Sequence, residues 1–249
     1  MRSSQARWQM LVLILSLTSL FTAALSAVFG MVGGSLLMGV YAALLPVPLA
    51  MVMHGGTQLV SNVSRALFLR RSVYWPGIWR YVIGALLAFA ALYSLHYVPP
   101  QWLVFLGLGI APFLAALLPA RIFDFERPGA AVLTGIAVAA MQLTAGAAGP
   151  LLDLAFIDSR LDREQVVATK AVTQTFSHLL KLAYFVPALG AGTVQPGLLV
   201  AVFAMTLLGT KLGTIILKRM TDANFRRYSR AIVYTVGAAY LGQATLLLW

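Results

Sequence analysis

Apolar residues run in long blocks broken by short polar or glycine-rich interruptions: 8–29, 34–45, 47–69, 76–97, 101–119, 129–146, 150–157, 164–186, 196–218 and 229–249. A helix crossing a hydrocarbon core needs about 20 predominantly apolar residues, so most of these blocks predict membrane-spanning helices. The blocks 34–45 and 150–157 are too short to cross. Each follows a small-residue break, Gly30-Met31-Val32-Gly33-Gly34 and Gly146-Ala147-Ala148-Gly149-Pro150. Unwound backbone at membrane depth is tolerated only where protein or a watered cavity covers it, so both breaks mark candidate cavities. Residues 8–29, with Arg2 and Arg7 before them and Ala24-Leu25-Ser26 near their end, have the look of a leader peptide. Their full span length and their counterpart in the second half predict that they are retained.

That counterpart emerges when the chain is slid by 116 residues, which lays Gly30 on Gly146 and Gly33 on Gly149. The same shift sets His54-Gly55-Gly56-Thr57-Gln58-Leu59-Val60-Ser61-Asn62-Val63-Ser64-Arg65 on Lys170-Ala171-Val172-Thr173-Gln174-Thr175-Phe176-Ser177-His178-Leu179-Leu180-Lys181. Apolar coincidences at one shift are cheap in such a sequence; coincident Gly, Thr, Gln, Ser and basic positions are not. The next helices open on Pro76-Gly77 and Pro196-Gly197, at a shift of 120. A duplication follows, with repeat 1 over residues 1–120 and repeat 2 over 121–249, together forming one integral membrane domain.

Charge orients the elements. Arg70, Arg71 and Arg80 place the connection after residue 69 on the cytoplasmic side, as do Arg121 and Arg127, Arg160 and Arg163, and the run Lys218, Arg219, Arg226, Arg227, Arg230. The connections at 97–101 and 187–196 carry no charge and belong outside. Helix 47–69 therefore runs inward and helix 164–186 outward, so the repeats are inverted. The expected fold is an all-α polytopic bundle of two inverted repeats, each a glycine-broken or re-entrant helix followed by three spanning helices, the design that builds an alternating-access site at the midplane. Arg2 and Arg7 draw the N-terminus inside, whereas strict inversion with a re-entrant first element draws it outside; the balance of charge leans to inside.

Composition narrows the chemistry. Of the 249 residues 60% are hydrophobic and 10% charged, against roughly 25% charged in soluble domains, so the net charge of +11 reads as basic cytoplasmic loops and not as a nucleic-acid footprint. The absence of cysteine excludes disulfides and thiolate metal sites. There is no His-Glu-x-x-His, no Gly-x-Ser-x-Gly and no pair of intramembrane acids, so neither an enzyme, a metal nor a cofactor is expected.

The candidate chemistry lies on the duplicated stripe. His54, Thr57, Gln58, Ser61, Asn62 and Arg65 recur at helical spacing, as do Lys170, Thr173, Gln174, Ser177, His178 and Lys181. Polar residues inside a span are costly, and by default they mark a pathway; singly, each also serves as a hydrogen bond between helices. With no acid in these helices beyond Glu164 at an end, a cavity between them attracts an anion. Gly30, Gly33, Gly34, Gly146 and Gly149 add exposed backbone N–H groups beside it. Arg65 and Lys181 either face that cavity or snorkel from the helix ends. Asp153 either takes up a coupling proton, pairs with a base, or caps the short half-helix. His54 and His178 either titrate or sit hydrogen-bonded and neutral. Gly84-x-x-x-Ala88 and Gly209-x-x-x-Gly213 suit close helix packing within the chain or in a homo-oligomer.

The paired glycine breaks, the polar-striped helix after each and the Pro-Gly start of the next resemble the TauE/SafE sulfite-exporter family of bacterial membrane permeases over nearly the whole chain. The resemblance implies an inner-membrane secondary transporter, an exporter of sulfite or an organosulfur anion such as sulfoacetate. Its partners would be that small anion, membrane lipid and, as a coupling ion, protons. A small carboxylate or another inorganic anion as substrate, and a passive anion channel, are the alternatives; a purely structural membrane subunit is the reading furthest from transport.

Overall fold

The computed structural model describes residues 2–29, 32–190, 193–217 and 222–249, so Gly30, Lys218 and Arg219 lie outside the described residues. Within them the secondary structure is helical, with no strand: α1 (Arg2–Phe29), α2 (Val32–Leu44), α3 (Val47–Phe68), α4 (Trp75–Ser94), α5 (Gln101–Leu117), α6 (Pro128–Thr144), α7 (Gly149–Leu154), α8 (Arg163–Phe185), α9 (Pro196–Leu217) and α10 (Asp222–Leu246). By length and composition α1, α4 and α9 are long and apolar enough to cross a membrane. The bundle is that of a membrane protein, with large side chains such as Phe21, Trp79, Ile83 and Val200 exposed around it.

The local reasons for these helices are written in their first turns. Proline stands at the start of α3, α4, α6 and α7, where its fixed φ suits a helix and its missing N–H costs nothing. The more polar α8 is opened by a capping box: Asp162 accepts from the Gln165 N–H at 2.8 Å, and the Gln165 side chain accepts from the Asp162 N–H at 3.1 Å. The first glycine-rich segment is less broken than its composition suggests. Gly33 and Gly34 belong to the first turn of α2, and Gly33 has no Cβ because one would strike the Thr22 carbonyl and Ser26 of α1. In the second break Gly146 adopts φ +83°, a left-handed conformation open to glycine at little cost.

Helix pairing is set by glycines. Gly84 of α4 lies on the backbone of Val132 and Ile136, and Gly135 of α6 on the backbone of Tyr81 and Ala85. Gly209 and Gly213 of α9 lie on Leu20 and Ala24 of α1. Both small-residue stripes are thus used inside the chain. The steps of four on each side make α1 and α9 parallel, so α1 begins at the same end of the bundle as α9. Helices α3 and α8 are antiparallel: His54 meets Lys181 at 2.7 Å, while Ser72, just beyond α3, donates to Glu164 at 2.5 Å. Helices α5 and α10 are antiparallel too, with Gly109 against Leu241 and Pro112 against Gly237.

The connections sort to two ends by charge. At one, the Tyr74 N–H donates to Thr169, Phe125 N–H to the Ala155 carbonyl, and Arg160 N–H to the Glu126 carboxylate, which gathers the arginine-bearing segments around residues 70–72, 121–127 and 160. At the other, the Tyr184 hydroxyl sits 2.8 Å from the carbonyls of both Leu92 and Tyr97, and Gln101 donates to Ala42 at 2.6 Å. Those connections carry no Lys, Arg, Asp or Glu from 95 to 100.

Candidate anion-binding cleft

A small cleft opens where α3 and α8 meet the two breaks. From α3 it is lined by His54, Gln58, Ser61, Asn62 and Arg65; from α8 by Gln174 and His178; and from the breaks by Gly34, Ser35 and 147–149. Ser26 at the end of α1 and Gln142 at the end of α6 complete it. A side chain at position 34 would abut the Gln58 amide at 3.4 Å, so the absence of one keeps that wall open.

Behind the cleft runs a buried chain of hydrogen bonds. Lys181 is 0% exposed; its Nζ donates to His54 Nδ1 and to the Gly146 carbonyl, each at 2.7 Å. His54 Nε2 lies 2.9 Å from the Gly34 carbonyl, and because a carbonyl only accepts, Nε2 carries the proton and Nδ1 is the acceptor. Gln142 Nε2 donates to His178 Nδ1 at 2.9 Å, which leaves His178 Nε2 as the donor of its neutral ring. The two imidazoles stand 5.5 Å apart, centroid to centroid. Among the described residues the ion pairs are Arg127 with Asp124 and Lys170 with Asp153, so Arg65 and Lys181 have no carboxylate partner there. The lining contains no acid at all. Its donors, held in fixed directions around a cationic guanidinium, make a surface that attracts and coordinates an oxyanion and has nothing to offer a cation.

The structure divides the sequence stripe by depth. Gly34, His54, Gln58, Ser61, Asn62, Arg65, Gly149, Gln174 and His178 reach the cleft. Thr57 and Thr173 are buried away from its lining, their hydroxyls donating to the Met53 and Lys170 carbonyls of their own helices. Ser177 is bound to the Tyr81 hydroxyl at 2.5 Å, joining α8 to α4. Gly33 serves the α1 contact, and Gly146 presents its carbonyl to Lys181. Lys170 turns away toward Asp153 on α7, and neither lines the cleft. Lys181 does not snorkel. Its stem passes Gly55, where a Cβ would stand 3.4 Å from Lys181 Cε, and its ammonium ends between His54 and the Gly146 carbonyl.

Sequence reasoning passed over Ser26, Ser35 and Gln142. Gln142 carried a usable signal, a glutamine four residues before a glycine break in an otherwise apolar helix, and the 116-residue shift pairs it with Ser26. Ser35 carried none beyond its neighbours.

An all-helical membrane bundle with a polar, acid-free cleft between two broken elements defines a membrane transport protein. The family model described as Sulfite exporter TauE/SafE matches residues 15–240, nearly the whole chain, and the chain belongs to that family. It is accordingly a membrane transporter and not an enzyme, with a small anion as the substrate the family implies. No curated protein and no solved structure matches the chain.

Proposed function

We propose that this chain is a multi-pass secondary transporter of the cell inner membrane that moves sulfite, or a small organosulfur anion such as sulfoacetate, outward by alternating access. The observation that carries the proposal is the acid-free cleft with Arg65 on its wall and Gln58, Gln174, Ser26, Gln142, Asn62 and His178 around it. These six are three pairs related by the 116-residue shift, so the cleft sits where a duplicated molecule has its pseudo-two-fold axis.

Inverted repeats over 1–120 and 121–249 are supported by the pairing of helices. Exchanging the halves turns the α1/α9 contact into the α6/α4 contact and leaves α3/α8 and α5/α10 each paired with itself, antiparallel, as an axis in the membrane plane requires. The basic connections gathered at one end mark that end as cytoplasmic; the N-terminus then lies outside. Arg65, near the cytoplasmic end of α3, puts the open mouth on that side, the loading side of an exporter. Protons as the coupling ion would have to act through His54 and His178, since Asp153 is engaged by Lys170 outside the cleft.

The test is flux in proteoliposomes with sulfite, sulfoacetate, thiosulfate, sulfate and simple carboxylates, each with and without a pH gradient. Saturable, exchangeable movement of sulfur oxyanions is expected. Preference for carboxylates would reassign the substrate, non-saturating flux would make the protein a channel, and movement of a cation with none of the anions would sink the reading.

A further inference from the structure

The shift that lays His54 on Lys170 lays Arg65 on Lys181, yet the two cations are used differently in this conformation. Arg65 is partly exposed and lines the cleft. Lys181 is fully enclosed and held by His54 and the Gly146 carbonyl. Arg65 stands three residues and Lys181 four residues before the last residue of its helix, and since α3 and α8 are antiparallel they occupy opposite ends of the cleft region.

We infer that Arg65 and Lys181 are alternate counter-charges for one anion: Arg65 faces the cleft when it opens to the basic end, and Lys181 replaces it when the cleft opens to the other. This rests on the transport reading and on the duplication. An ammonium enclosed among neutral acceptors is costly to keep, and truncation would leave its partners unpaired. Its position makes sense if enclosure is one half of a cycle. Moving the 145–149 turn takes the Gly146 carbonyl away from Lys181 and frees it toward the cleft. A single cation at a time then meets the anion in either state, and substrate binding never brings two unpaired positive charges together. The remaining charged groups near the pair leave the exchange unopposed: Lys170 is neutralised by Asp153, and His54 and His178 are the titratable neighbours on the facing helices.

The chain has no cysteine, so Arg65→Cys and Lys181→Cys each place one thiol in the full-length protein. In proteoliposomes of defined orientation, a membrane-impermeant thiol reagent applied without substrate should modify position 65 from the basic-loop side and position 181 from the opposite side. Each should react roughly tenfold or more faster from its own side, as loss of access behind a closed end demands. A thiol at 181 that stays unmodified from both sides while position 65 reacts overturns the inference, and so does reaction of both from one side. Should Lys181→Cys fail to fold, Lys181→Arg and Arg65→Lys, with sidedness of KM measured on both faces, decide the matter. Each should raise KM mainly on its own face, and a rise on the same face for both refutes the exchange. Absence of wild-type flux would defeat the transport reading, while the labelling pattern would still judge the exchange.

Discussion

Ser177 was a candidate for binding the substrate and is instead tied to Tyr81, and the two roles separate cleanly by experiment. Tyr81 is 0% and Ser177 3% exposed, and their hydroxyl oxygens stand 2.5 Å apart between α4 and α8. Removing either hydroxyl leaves the other without its partner in a site closed to water. Such an orphan costs roughly 1–3 kcal/mol in soluble proteins, while hydrogen bonds between membrane helices average about 0.6 kcal/mol with a ceiling near 1.7. Ser177→Ala and Tyr81→Phe are therefore expected to destabilise by about 1 kcal/mol each. The double variant, with nothing left to orphan, should lose less than their sum, by an interaction free energy of about 0.6 kcal/mol or more. Equilibrium unfolding in mixed micelles measures all four proteins, and sulfite flux on the folded fraction should give a wild-type KM for each. Additive losses, or a KM that rises with Ser177→Ala in folded protein, would return Ser177 to the binding surface.

Three further outcomes follow from the same geometry. Gly135→Ala should destabilise by about 1–3 kcal/mol, the usual cost of overpacking, because its methyl meets the backbone of Tyr81 and cannot be relieved by a rotamer; unchanged thermal stability in detergent would show that α4 and α6 are looser than described. Tyr240→Phe removes a hydroxyl 3.2 Å from the Ser35 carbonyl and 3.4 Å from that of Leu36, so it should loosen α2 at the cleft and raise KM by about two- to tenfold, with no rise marking the bond as incidental. Asp153→Asn breaks a partly exposed ion pair and should change stability by less than about 1 kcal/mol; its flux should respond to a pH gradient as the wild type does, and a lost response would make Asp153 the proton carrier.

How much of this was legible in the sequence depends on what each residue needed from its surroundings. The positions of the helices were legible because apolar length and opening prolines are local properties; α2, α3, α8 and α9 each begin within two residues of the expected block. The polar stripe was legible because Gln58 and Gln174 are expensive anywhere in a span. Periodicity gives the face of a helix and not the depth to which that face is covered, and so it grouped Thr57 and Thr173 with the glutamines. A threonine bonded to the carbonyl four residues back, as Thr57 is to Met53, satisfies itself whichever way it faces. The sequence left Lys181 open between the cavity and the surface for a related reason. A lysine four residues from a helix end reaches the surface if nothing stands over it, and what stands over it here, His54 and the turn at Gly146, comes from 127 and 35 residues away.

The departures from symmetry make electrostatic sense together. The duplicated stripe supplies three cations, Arg65, Lys170 and Lys181, and all three facing one cavity would repel each other and hold an anion too firmly to release it. Asp153, with Leu37 in the corresponding place of the first half, removes Lys170 from that field by pairing with it on α7. His54, in the place of Lys170, accepts from Lys181 and donates its own Nε2–H to the Gly34 carbonyl, so a second cation is bound by neutral groups. One cation is left on the wall of the cleft. A transporter must bind its anion well enough to select it and loosely enough to let it go, and a single uncompensated guanidinium among amides and hydroxyls meets both demands. His54→Lys, which gives α3 the residue that α8 carries at the position 116 residues on, would place an ammonium beside Lys181 with no acid near. That protein should fold poorly or, where it folds, trap its anion and turn over more slowly, which single-turnover efflux would reveal as a fall in rate without a loss of binding. Faster efflux at unchanged affinity would mean that the asymmetry of the stripe does not serve release.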